Sequence, residues 1–102
     1  MSAEVPSWLL GRWRLQRAES GVDLQPGTEM DFRSNGLLLY RIEVCEQVHE
    51  FELSYEVEGS LLRTAHGANG QRQSVRFGLE HSGLLELDFS GNRAWFARQR
   101  LM

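Results

Sequence analysis

A chain of 102 residues with 41% hydrophobic and 25% charged side chains has the size and composition of one globular domain with a single core. Its 11 basic and 14 acidic residues leave a net charge of −3, which supplies no counterion-release drive toward nucleic acid. Met1 to Trp8 has neither a basic n-region nor a long apolar run, so no signal peptide and no membrane span is visible; a lone Cys45 cannot close an internal disulfide, which fits a reducing cytoplasm.

Val5 to Leu10 reads as a short lead-in turn, and Gly11 to Arg17 as a first strand with Trp13, Leu15 and Arg17 on one face. Glu19 to Pro26, with its Ser, Gly, Asp and Pro, is the one long loop. Thr28 to Arg33 offers Met30 and Phe32. The three-residue loop Ser34-Asn35-Gly36 then leads into a third strand carrying Leu38, Tyr40, Ile42 and Val44. In the fourth, Phe51, Leu53, Tyr55 and Val57 alternate with Glu50, Glu52, Ser54 and Glu56, giving one dry face and one wet. Leu61 to His66, Gln71 to Glu80, Leu84 to Phe89 and Arg93 to Arg100 continue the pattern, with His81-Ser82-Gly83 as a second three-residue loop. No segment sustains helical periodicity.

Turn residues suggest a register. An Asn69-Gly70 turn pairs Ala68 with Gln71, setting Thr64 opposite Val75 and Leu62 opposite Phe77. Gly91-Asn92 sets Phe89 opposite Ala94 and Leu87 opposite Phe96, and Glu58-Gly59 sets Tyr55 opposite Leu62. Eight consecutive antiparallel strands with one apolar face predict an all-β, up-and-down meander barrel, because closure removes both edges of the sheet. Its inward residues are Trp13, Met30, Phe32, Tyr40, Phe51, Tyr55, Phe77, Phe89 and Phe96.

The segment Leu9-Leu10-Gly11-Arg12-Trp13 places Gly-x-Trp at the start of the first strand after a short turn. In this the chain resembles the lipocalin-like (calycin) superfamily, in the form of a small bacterial-type lipocalin-like domain. The resemblance implies an Arg on the last strand that accompanies Gly11 and Trp13. Arg98 matches it, since the register sets it opposite Leu85, at the end where the first strand begins. It further implies a barrel closed at the Trp13 end and open at the long first loop, with hydrophobic small molecules as the ligand class.

The same register turns several polar residues inward near the open end: Val44 faces His49, Phe51 faces His66, His66 faces Gln73, and Arg17 points the same way. One reading is a polar collar in which Arg17, His49, His66 and Gln73 hold the head group of an anionic amphiphile. Tyr40, Leu53, Tyr55, Thr64 and Phe77 then line the tube that takes its tail. A barrel this short limits that tail to roughly a medium-chain acyl group or a single ring system. The other reading is that strand ends are wet in any case, with Thr64 and the two Tyr hydroxyls bonded to one another or to a buried water.

His49 and His66, one pair apart, supply two imidazoles, short of the three or four ligands that a metal needs, and no cofactor is expected. Cys45, Ser54 and Ser74 face outward without a base, so no catalytic triad forms and a non-enzymatic protein is expected. Glu46, Glu50, Glu52, Glu56 and Glu58 read as a solvated face, with Arg41 opposite Glu52 and Arg63 opposite Ser54. Trp95 and Leu84 lie on the outer face, either as an exposed patch suited to a homodimer or packed against the lead-in segment with Trp8. The residues leave two functions open: a non-catalytic barrel that binds a hydrophobic or amphiphilic small molecule, or a filled barrel that acts as an interaction or dimerisation module.

Overall fold

The period-two alternation becomes eight strands in the computed structural model, which describes residues 5–22, 24–67 and 70–99. A single 3-10 turn, Ser7–Leu9, precedes β1 (Gly11–Ala18), β2 (Glu29–Phe32), β3 (Leu37–Val44), β4 (Gln47–Glu58), β5 (Leu61–His66), β6 (Arg72–Leu79), β7 (Leu85–Phe89) and β8 (Asn92–Arg98). Each strand pairs antiparallel with the next, and β8 returns to β1, so the sheet closes into an up-and-down barrel. Among the described residues no helix is long and apolar enough to cross a membrane.

Four hairpins differ from the register expected of their turn residues, each by two residues of the partner strand. Leu62 lies opposite Val75 rather than Phe77, Leu87 opposite Ala94 rather than Phe96, Val57 rather than Tyr55 opposite Leu62, and Val44 opposite Gln47 rather than His49. In the three hairpins whose turn residues are all described, the turn sits away from the expected position. Ser90-Gly91, at φ 56° and 101°, makes the tight turn instead of Gly91-Asn92; Cys45-Glu46 makes another at φ 52° and 64° with neither Gly nor Asn. Gly59 takes the first central position of its turn rather than the second. The β5–β6 hairpin closes on His66 and Gln71, with Ala68 and Asn69 outside the described residues. A shift of two preserves which face every side chain occupies, so the inward set survives the correction. Both three-residue loops stand as expected, bridged by Arg33 N–H to Leu37 O and Glu80 N–H to Leu84 O, each at 2.9 Å.

One end of the barrel is sealed. Trp13 opposes Arg98 across the β1–β8 seam, and the guanidinium carbon stands 4.4 Å from the indole centroid. Arg98 also donates to the carbonyls of Leu10, at 2.9 Å, and Trp8, while Trp13 Nε1 donates to Leu9 O at 2.9 Å. Gly11, at φ 114°, lets the chain bend here, and a Cβ would come within 3.1 Å of Arg98 Nη1. The 3-10 turn is thereby drawn across the end: Leu9 is fully buried, and Trp8 meets Phe77 with ring centroids 5.8 Å apart. Phe32 and Tyr55 pack edge to face beside them at 5.2 Å.

Outside the wall, Trp95 is only 5% exposed, so the dimer patch expected from Trp95 and Leu84 is not available. Trp95 is covered by side chains of the strands themselves. Arg17 and Arg93 lie over its ring at 4.1 and 5.3 Å, and its Nε1–H is shared by Glu80 at 3.0 Å and Glu86 at 3.1 Å. The cation stems dry the indole from outside the barrel.

Phe77 opposes Leu87 and touches Trp8 at the sealed end, whereas Arg76 on the same strand faces water. Phe77→Ala is expected to cost about 3–5 kcal/mol in urea melts. Arg76→Ala should stay within about 0.5 kcal/mol, and comparable losses would contradict the assignment of faces.

Candidate functional site

The open half of the barrel holds a cavity of about 590 Å³. Its floor and sides are Met30, Leu38, Leu62, Val75, Leu87, Phe89 and Phe96, inward residues from six strands. Val22 and Leu24 reach it from the loop between β1 and β2. They are alternate apolar residues inside a stretch otherwise rich in turn formers, which is the one sequence signal that separates them from solvated loop.

Among the described lining residues, polar side chains are confined to two regions of the wall. Thr64 and Gln73 oppose one another on β5 and β6, with His66 and Gln71 one step nearer the mouth; Tyr40 stands apart on β3, beside Leu53 and Phe51. Among the described lining residues there is no carboxylate and no guanidinium. The Phe51 and His66 rings lie 6.2 Å apart at the rim.

Of the residues expected to form the site, the cavity therefore gathers Tyr40, Leu53, Thr64, His66 and Gln73. Four fall elsewhere. Arg17 is on the outer face, over Trp95, because the β1–β8 ladder slips by one residue between Leu15 and Arg17. A bulge at Gln16 reverses the parity of the residues after it, and nothing in the spacing of Trp13 and Leu15 announces it. His49 opposes Ile42 on a projecting part of the β3–β4 hairpin and is exposed. His66 pairs instead beside Leu53, four residues along β4 from His49, or about 13 Å at the usual strand rise. The two imidazoles cannot share an ion, and no metal-ligating group of three or more side chains occurs among the described residues.

Tyr55 and Phe77 belong to the filled, sealed half. The Tyr55 hydroxyl donates to Arg33 O at 2.6 Å, and Tyr55 is not part of this cavity's lining. Phe51, expected in the core, is 38% exposed because it stands beyond the end of β5.

Charge is kept on the outside. Arg41 opposes and binds Glu50 rather than Glu52, and the hydrogen bond to Glu50 pushes its pKa up. Arg63 opposes Glu56 and pairs with Glu58 at 3.0 Å. Arg93 joins Glu19 at 3.6 Å, and Glu19 in turn accepts the Arg93 N–H, tying the start of the long loop to β8.

Among solved structures the chain is similar to a lipocalin-like protein from Bacteroides uniformis ATCC 8492, with a TM-score of 0.76 at 13% sequence identity over 91% of this chain and 100% of that chain. The fold is thus a lipocalin-like barrel, as the Gly11, Trp13 and Arg98 arrangement implied. No family model matches the chain, and no curated protein matches it in sequence.

Burial, and secondarily the charge of Asp31, raises the pKa of Tyr55. The fold thus favours the neutral phenol, a stabilisation fully present below the unfolded value of about 10 and lost as pH rises toward the folded value. Tyr55→Phe should lose about 1 kcal/mol near neutrality through the missing hydrogen bond. That deficit should narrow above about pH 10, where only the parent protein has this phenol to ionise. A deficit that stays constant into alkali in denaturant titrations would contradict the assignment.

Proposed function

We propose that this protein is a non-catalytic barrel that binds an uncharged, predominantly apolar small molecule with hydrogen-bonding groups toward one side. The observation that carries the reading is the cavity itself: about 590 Å³, within the range of roughly 300–1,000 Å³ usual for small-molecule sites, apolar at depth and polar along β5 and β6. Thr64 and Gln73 can donate to or accept from a carbonyl or hydroxyl group. Met30, Leu38, Leu62 and Leu87 offer only dispersion and apolar burial.

The preference for an anionic amphiphile rested on Arg17, His49 and His66; of these only His66 lines the cavity, and Arg17 and His49 stand away from it, so the preference is not retained in this reading. A carboxylate drawn in from the exposed Gln73 toward Thr64 would shed hydration without gaining a guanidinium from the described lining residues. The cavity also favours a ligand-binding role over a wholly filled barrel that acts through its surface.

Dodecanol is accordingly expected to displace a neutral naphthylamine dye at least about tenfold more tightly than dodecanoate at about pH 8. Arg17→Ala should change neither affinity, and Gln73→Leu should weaken dodecanol. Tighter binding of dodecanoate, dependent on Arg17, would overturn the uncharged-ligand reading.

A further inference from the structure

The β3–β4 hairpin runs past the barrel rim. β3 pairs with β2 only as far as Arg41 opposite Glu29, and β4 with β5 only from Leu53 opposite His66. Beyond these, residues 42–52 form a two-stranded ribbon, and from Leu53 to Gln47 it projects about 20 Å at the usual strand rise. Its two faces differ. Ile42, Val44 and Phe51 share the inward parity of Tyr40 and Leu53, with His49 and Gln47 beside them toward the tip. Glu43, Glu50, Glu52 and Val48 occupy the other face. Val44 is 43% exposed, while Phe51 both lines the cavity and opens to solvent.

A second copy is a poor occupant. Antiparallel pairing of two β4 edges about Glu50 would set Glu50 against Glu50, and like charges directly opposite destabilise. An anionic membrane fits no better, because Glu43, Glu46 and Glu52 have no ion-pair partner among the described residues. The inner face carries no carboxylate and is continuous with the cavity wall through Phe51 and Tyr40.

Building on the binding reading above, we propose that the ligand is an elongated, uncharged chain whose far end leaves the cavity past Phe51 and lies along Ile42 and Val44. The ribbon thus selects length, and the short barrel does not limit the ligand to a medium chain.

Displacement of a neutral naphthylamine dye by straight-chain alcohols from hexanol to hexadecanol tests this. Affinity should keep rising, by up to about fourfold per methylene, through the longest members. Val44→Ser, on the inner face, should weaken hexadecanol about tenfold and leave hexanol unchanged. Val48→Ser, on the outer face of the same ribbon and 66% exposed, should alter neither. A parent-protein affinity that stops rising at octanol, or equal effects of the two substitutions, would overturn the inference while leaving the cavity reading intact. If neither dye nor alcohol binds, the binding reading itself falls, and this inference with it.

Discussion

Everything in this molecule depends on the β1–β8 seam, where the first and last strands of the sheet meet and leave no edge. Trp13 opposite Arg98 is its anchor. The guanidinium serves three purposes at one point: it covers the indole, satisfies the Leu10 carbonyl as the chain enters β1, and holds the Trp8 carbonyl so that the 3-10 turn caps the barrel. Contacts of this kind at an exposed site are individually worth only about 0.5–1 kcal/mol, but they act where closure links residues more than eighty positions apart.

Closure at that end sets the contents of the barrel. Leu9, Trp13, Phe32, Tyr55 and Phe77 fill the sealed half, with the Tyr55 hydroxyl satisfied by Arg33 O. Toward the other end Met30, Leu62, Val75, Leu87, Phe89 and Phe96 line the wall, and the space left is the cavity. The bulge at Gln16 adds a second consequence of the same seam. By turning Arg17 outward it removes a guanidinium from the mouth and covers Trp95 instead, so one backbone irregularity contributes to both the lining of the cavity and the dry outer wall.

Face assignment was legible in the sequence because the side-chain period is two: Phe77, Leu62, Leu87 and Phe96 are inward whichever of two neighbouring residues centres each turn. The meander order could be read from the turns and the alternation, whereas the open and closed ends and the meeting of Arg98 with Trp13 were what the resemblance carried by Gly11 and Trp13 implied. Turn centres could not, since Ser90-Gly91 and Gly91-Asn92 are both plausible tight turns by composition, and Cys45-Glu46 carries no turn signal. Arg17 escaped because a bulge is a backbone event without a residue signature here, and His49 because strand pairing, rather than alternation, decides where the wall ends. The burial of Trp95 was equally hidden, as it rests on two arginines from different strands.

The central claim is a barrel filled at the Trp13 end and open at the other, apolar at depth and, among the described lining residues, without a carboxylate or a guanidinium. It is tested most directly by mapping backbone amide shifts in NMR spectra as dodecanol is titrated into labelled protein. Perturbations should concentrate at Leu53, Thr64, Gln73 and Leu87 and leave Trp13, Tyr55 and Phe77 in place. Shifts clustered at Trp95 on the outer wall, or at the Trp13 end, would contradict it.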